Sequence, residues 1–337
     1  MYKGNSIGVV VPCYNEETQI RDVLATMPVV VDHVLVVDDS SDDGTCRIVE
    51  EFIASDGGDE SRVTLVRHET NQGVGAALTT GYREALRREI DITAVMAGDG
   101  QMDPDELETL LDPVAEGQAD YAKGNRLFYR DAWNKIPTHR YLGNAFLSLL
   151  TKLASGYWHV ADSQTGYTAI SREALETVDI EEMYPSYGYP NDMLVRLNVY
   201  DFRVVDVYIR PVYDVGEKSK MKLMRVVPRM SWLILKRFFW RMGAKYIVRD
   251  FHPLVLFYLS SAFLSVAGLV LFIRMIWIWI AVGTIPQMNA LLWVFCSVTA
   301  VQFALFAMWF DMEMNRDLCV RRHRRPRRRR PTADGET

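Results

Sequence analysis

The chain has 337 residues with 38 Lys+Arg and 43 Asp+Glu, a formal net charge of −5. That near-balance is a cancellation, because residues 1–217 carry 18 basic against 37 acidic side chains while residues 218–337 carry 20 against 6. An acidic body joined to a basic, apolar tail fits a solvated enzyme domain and a segment drawn to anionic lipids; nucleic acid ranks low as a partner because the arginines directly follow an apolar stretch.

From Met1 the chain runs through a short polar stretch into IGVVVP without the apolar core and cleavage site of a signal peptide, so residues 1–217 are expected in the cytoplasm. Cys13, Cys46, Cys296 and Cys319 show neither metal spacing nor a paired pattern, which argues for a reduced compartment. The runs IGVVVP, HVLVVDD, VTLVRH and ITAVMAGD read as strands, with helical patterns beginning near Glu17, Asp43, Gly73 and Pro104. This alternation implies crossover units, a mainly parallel α/β sheet and ligands at the carboxyl ends of its strands. Polar residues gather at those ends: Pro12, Tyr14, Asn15 and Glu16 after the first, Asp38 to Thr45 after the second, and Gly98-Asp99-Gly100-Gln101 after the fourth. No Gly-x-Gly-x-x-Gly or glycine–lysine loop follows the first strand, which weighs against dinucleotide and P-loop readings. Asp42, Asp43 and Thr45 have the chemistry of a helix N-terminus, and Asp103, before Pro104, that of an N-cap. Further on, Lys123-Gly124-Asn125-Arg126 closes an expected strand and Arg140 heads an expected helix.

Residues 218–250 mix cations with Trp232, Phe238, Phe239 and Trp240, a pattern of helices lying in a membrane interface, the first of them expected to end or kink at Pro228. Residues 254–273 and 288–310 are uncharged and long enough to cross a hydrocarbon core, with Trp277 and Trp279 expected in the connection between them. Arg274 is the only cation of that connection, whereas basic residues precede the first span and follow the second, so both ends are expected in the cytoplasm. The spans with their margins occupy residues 251–311, and residues 312–337 read as a disordered basic tail.

The set PCYNEE, VVDDSSDDGT, NQGVGAALTTGY and MAGDGQMDPDEL, in this order and spacing, resembles the family 2 glycosyltransferases of GT-A fold. It looks most like their polyprenyl-phosphate branch, typified by dolichyl-phosphate mannose synthase, and the resemblance covers about residues 5–220. It implies that Pro12, Tyr14 and Glu16 line a nucleotide pocket, that Asp39, partnered by Asp38, accepts hydrogen bonds from base or ribose, and that Arg126 contacts phosphate. ADSQTGYTAISREAL then places Asp162, Gln164 and Thr165 near the sugar, and Asp192 falls where many members carry a general base. Where the family commonly has Asp-x-Asp, this chain has Ala97-Gly98-Asp99, so Asp99 and Gln101, expected to alternate on an extended segment, remain as ligands for Mg²⁺ or Mn²⁺.

A sugar or lipid hydroxyl must lose a proton during attack, whereas a monophosphate is already largely dianionic near neutrality. The reaction the resemblance implies is inverting transfer of a hexose from a nucleotide-diphosphate sugar, UDP favoured over GDP, to a polyprenyl or dolichyl phosphate. Arg126, Arg140, Lys218, Ser219 and Lys220 would hold the acceptor phosphate, and Asp192 would position sugar or acceptor instead of taking a proton. Two alternatives stay open: transfer to a hydroxyl of a lipid-linked glycan or glycolipid, and a membrane-tethered protein that binds sugar nucleotides without catalysis.

Overall fold

The structure is a computed structural model that describes residues 1–127, 138–210 and 223–320. Eight strands, β1 (Ile7–Cys13), β2 (His33–Asp38), β3 (Val63–Arg67), β4 (Ile92–Val95), β5 (Tyr121–Asn125), β6 (Thr168–Ser171), β7 (Val204–Tyr208) and β8 (Cys319–Val320), form one sheet in the order β3-β2-β1-β4-β6-β5-β7-β8. All neighbours run parallel except β6, which is antiparallel to both β4 and β5. The β-branched runs are buried on both faces: Val9, Val11, Val34 and Val36 enter one apolar core, Val10, Leu35 and Val37 the other. Helices α1 (Ile20–Ala25), α2 (Thr45–Ser55) and α3 (Val74–Arg87) follow the first three strands, and α4 (Leu107–Ala115) follows β4. Because β2 lies on one side of β1 and β4 on the other, the strand order switches at β1 and opens a crevice at the carboxyl ends of β1 and β4.

The second half adds α5 (Thr138–Ser155), α6 (Arg172–Thr177) and α7 (Tyr189–Val199), then α8 (Leu223–Gly243). Pro228 neither ends nor breaks α8. Helix α8 lays Met230, Leu233 and Ile234 against Leu147 and Ala154 of α5 and Val195 of α7, while Trp232, Leu235 and Phe239 are exposed. A single π-helical stretch, Ala244–Arg249, replaces the second interfacial helix.

Two helices, α9 (Leu254–Val282) and α10 (Gln287–Met314), are long and apolar enough to cross a membrane. They are longer than the uncharged runs, because nothing breaks the helix before Gly283; Trp277 and Trp279 therefore lie in the last turns of α9, and the connection shrinks to residues 283–286. Small and polar side chains join them: Ser261 Oγ donates to the Ala300 carbonyl at 2.8 Å and Asn289 Nδ2 to the Leu271 carbonyl at 2.9 Å.

The beginning of the expected disordered tail is ordered. Helix α10 runs on to Met314, and Cys319 and Val320 pair with Val204 and Val205 as an edge strand of the eight-stranded sheet. The junction is polar and closed. Arg241 of α8 is fully buried and grips both oxygens of Asp311, each at 2.9 Å. Tyr246 donates to the same carboxylate at 2.7 Å, and Lys245 bonds the Asn198 carbonyl at 2.8 Å and Asn315 at 2.9 Å.

Candidate functional site

The registers Pro12↔Val37 and Cys13↔Asp38 send the loops after β1 and β2 out of the sheet side by side. They are then tied together. Asn15 accepts from the Asp42 N–H at 2.9 Å, Thr45 Oγ1 from the Glu16 N–H at 2.9 Å, and Glu17 from the Gly44 N–H at 3.0 Å. Asp43 accepts from Thr45 N–H at 3.0 Å and from its hydroxyl at 2.5 Å, the helix-terminal chemistry expected there. Tyr14 stands exposed on this rim.

The two strand-end aspartates face inward. Asp38 accepts from the Ser41 hydroxyl at 2.5 Å and its N–H at 3.1 Å. Asp39 accepts from the Gln72 and Gly73 N–H groups at 2.9 and 2.7 Å and meets His68 Nδ1 at 2.8 Å. Asp39 thus anchors residues 68–73. The glycines of NQGVGAAL serve close approach: a Cβ at Gly75 would fall 2.1 Å from the Tyr184 carbonyl oxygen. The N–H groups of Gly75 and Ala76 go to the Pro185 carbonyl, so this helix N-terminus is capped by protein.

The segment 96–98 continues beside β1, with Met96 and Gly98 N–H groups on the Val10 and Pro12 carbonyls. It then turns instead of staying extended. Gly100 has φ 71° and Asp99 Oδ1 accepts the Gln101 N–H at 3.0 Å, because a short carboxylate followed by glycine closes an Asx turn more readily than it continues an unpaired strand. Asp103, not Asp99, caps the following helix, accepting the Asp105 N–H at 3.0 Å. Burial pushes the Asp99 carboxyl above its ordinary range, against the pull of the Gln101 N–H and the nearby Arg126.

Arg126, at the end of β5, donates from Nε to Asp162 at 2.9 Å and from its backbone N–H at 3.3 Å. Burial works to raise the Asp162 pKa, but Arg126 and then Lys123 outweigh it and hold the group below its ordinary value. Gln164 N–H donates to Asp162 at 3.3 Å, and its side chain reaches Asn191 Oδ1 at 3.1 Å, so Asp99, Arg126, Asp162, Gln164 and buried Thr165 form one neighbourhood. Asp192 does not join it. Fully buried in the first turn of α7, it accepts from the Tyr184 N–H at 2.8 Å, Arg196 Nε at 3.3 Å and Arg237 Nη2 at 3.1 Å. Arg237 Nε also lies 2.6 Å from its other oxygen, an ion-pair contact without hydrogen-bond alignment. Sequence reasoning missed these arginines, although Arg196 sits one helical turn after Asp192, a spacing that pairs side chains on one face. Lys218, Ser219 and Lys220 lie outside the described residues, as does the Arg140 side chain, whose backbone is in the first turn of α5.

Among the described residues no group of three His, Cys, Asp or Glu side chains is arranged to hold a metal ion. A single carboxylate with an amide oxygen two residues on fits a hard cation only when a diphosphate completes the oxygen shell.

The model of the family described as "Glycosyl transferase family 2" matches residues 8–179. The UDP-N-acetylglucosamine–dolichyl-phosphate N-acetylglucosaminyltransferase of Methanococcus voltae is 29% identical over 216 residues, 61% of this chain and 86% of that one. The polyprenol monophosphomannose synthase of Mycolicibacterium smegmatis is 32% identical over 60% of this chain and 75% of that one, and the undecaprenyl-phosphate mannosyltransferase of Micrococcus luteus 30% over 63% and 86%. In fold, the chain is similar to glucosyl-3-phosphoglycerate synthase from Mycobacterium tuberculosis solved with Mn²⁺, UDP and phosphoglyceric acid (TM-score 0.51, 22% identity, 71% of this chain and 79% of that one).

Proposed function

From the premise that this chain belongs to glycosyl transferase family 2, with a GT-A-like catalytic domain, we propose that it transfers a hexose with inversion from a nucleotide-diphosphate sugar to a membrane polyprenyl phosphate. The product is a lipid-linked monosaccharide. Relatives named for polyprenyl-phosphate acceptors support the acceptor class. The observation that carries the reading further is the state of Asp192: enclosed and paired with Arg196 and Arg237, it is poorly suited to take a proton from an acceptor. A hydroxyl acceptor needs such a base; a phosphate, with a second pKa of about 6, does not.

In this reading Pro12, Tyr14, Glu16, Asp38 and Asp39 form the nucleotide side, and Asp162, Gln164 and Thr165 the sugar side. Asp99 and Gln101 would hold Mg²⁺ or Mn²⁺ against the donor diphosphate, where the ion supplies charge neutralisation for the departing nucleoside diphosphate. Arg126, oriented by Asp162, presents its guanidinium to phosphate. Arg140, Lys218, Ser219 and Lys220 supply the cations that offset repulsion between acceptor and donor phosphates. A uridine donor is favoured, in line with the UDP named for the Methanococcus relative and for the structural neighbour. Both ends of the α9–α10 hairpin face the cytoplasm, with the basic residues on anionic headgroups.

The test uses the full chain in lipid nanodiscs with Mg²⁺ or Mn²⁺ and radiolabelled UDP-N-acetylglucosamine, UDP-glucose or GDP-mannose, offered a short polyprenyl phosphate or the corresponding alcohol. The expected product is a mild-acid-labile lipid-linked monosaccharide from the phosphate alone. Equal transfer to the alcohol or to a glycolipid hydroxyl would overturn the acceptor assignment, and full turnover in excess chelator the metal.

A further inference from the structure

Beneath the Arg126–Asp162 pair lie two ionisable groups that the proposed reaction does not use. Lys123 of β5 and Asp206 of β7 are cross-strand partners in the parallel ladder. Lys123 is fully buried, and its Nζ donates to the Thr165 carbonyl at 2.6 Å. Asp206 Oδ2 accepts from the Ala161 N–H at 3.0 Å and from Asn125 Nδ2 at 2.6 Å. Its Oδ1 is enclosed with no hydrogen-bond partner among the described residues.

These bonds reach both ends of one short loop. Residues 161–165 carry Asp162, Gln164 and Thr165; Asp206 holds the backbone at the first residue and Lys123 at the last. Burying two ionisable groups for two backbone hydrogen bonds is a poor route to stability, since apolar residues of similar size would pack as well without the desolvation cost. Its specific effect is on placement. The ammonium of Lys123 also balances Asp162 from behind, so the hold of Asp162 on Arg126 is not that carboxylate's only compensation.

We propose that Lys123 and Asp206 are positioning residues that pin the 161–165 loop from inside the sheet and thereby set the affinity of the site for the sugar half of the donor. The inference rests on the nucleotide-sugar reading above. Burial also brings both groups close to neutrality: it pushes Asp206 up to about 6 and Lys123 down to about 8. The charges facing them are each other, Asp162 and Arg126. The pinned state is thus the one in which Asp206 is ionised and Lys123 protonated, bounded below by protonation of the aspartate and above by loss of the lysine proton.

Binding of one nucleotide sugar (UDP-N-acetylglucosamine, UDP-glucose or GDP-mannose, whichever the full chain binds best) is compared with binding of its own nucleoside diphosphate, in the parent, Lys123→Met and Asp206→Asn. The expected result in Lys123→Met is a fall of about tenfold in affinity for the sugar nucleotide, the scale of one lost buried hydrogen-bond partner, and in Asp206→Asn, whose amide oxygen can still accept the Ala161 N–H, a smaller fall in the same direction, with the diphosphate unchanged within about twofold in both. Asp206→Asn should also keep or raise the unfolding temperature at pH 7.5: a carboxylate whose pKa rises on folding costs stability as pH climbs from 3.8 towards about 6, and the amide does not. In the parent, which needs no variant to fold, the sugar-specific part of the affinity should peak near pH 7 and decline through about pH 6 on the acid side and about pH 8 on the alkaline side. Parallel loss for sugar nucleotide and diphosphate, unchanged affinities in folded variants, or a sugar-specific affinity flat from pH 5 to 9 would each overturn the proposal. A parent that binds sugar nucleotide more tightly than diphosphate but transfers nothing to polyprenyl phosphate counts against the acceptor reading alone.

Discussion

In the proposed reading Asp99 alone does what the family's usual pair of carboxylates does, and its surroundings make that harder. Burial raises its pKa, and the Gln101 N–H, its own backbone N–H and the field of Arg126 pull the other way. The charged form is the useful one, so activity should be lost as pH falls through a value above that of an exposed aspartate. In Asp99→Asn the amide oxygen can still close the turn on Gln101, but the charge is gone. We expect transfer to fall about 100-fold or more with no loss of unfolding temperature, and the acid limb of kcat/KM assigned to Asp99 to vanish. A variant with more than about a tenth of parental turnover would remove Asp99 from the metal site. The sequence exposed Asp99 and the gap at Ala97 directly, because both lie in one contiguous motif. It did not expose the turn, because an alternating pattern of polar residues after a strand is compatible with either an extended or a turned backbone until its hydrogen-bond partners are known.

Asp192 ties secondary-structure elements together. Its carboxylate joins three of them: its own helix α7 through Arg196, the 182–188 loop through the Tyr184 N–H, and α8 through Arg237. Arg196 in turn donates to the carbonyls of Asp179, at 2.8 Å, and Glu182, so the loop above the α3 N-terminus depends on the same cluster. Asp192→Ala leaves two arginines, one of them buried, without this carboxylate, a change of the kind that costs about 3–5 kcal/mol. A fall in unfolding temperature is expected, with faster amide exchange in residues 182–188 and 227–240; unchanged exchange in both segments would show that Asp192 is not the clasp. Position in a motif pointed to Asp192 as a site residue. What it missed is Arg237, 45 residues downstream in a segment whose basic character pointed to lipid headgroups.

For the whole molecule, the hairpin is built into the catalytic domain. Arg241 and Lys245 are buried against Asp311 and Asn315 at the end of α10, and the chain then re-enters the catalytic sheet as β8. A chain cut after residue 250 loses β8 and leaves the Arg241 guanidinium without the anion it grips on both oxygens. Such a truncation should unfold at lower temperature than the full chain or aggregate on expression, and Asp311→Asn in the full chain should show an intermediate loss. A truncated domain as stable as the parent would reduce the hairpin to a tether.

The sequence by itself determined the first five of the eight strands, the loops at their carboxyl ends where polar residues gather, and which two stretches suit a bilayer. Each of these follows from local periodicity, composition or a contiguous motif, where residues near in the chain carry the whole signal. Only the tertiary structure decided that Asp39 anchors a loop, that Asp192 is clasped by arginines from two helices, that Lys123 and Asp206 bond the two ends of the 161–165 loop, and that residues beyond the second span complete the sheet. Those outcomes depend on which charges a fold brings within about 3 Å of one another, and a buried carboxylate takes its partner from whatever element packs against it, however far along the chain that element lies.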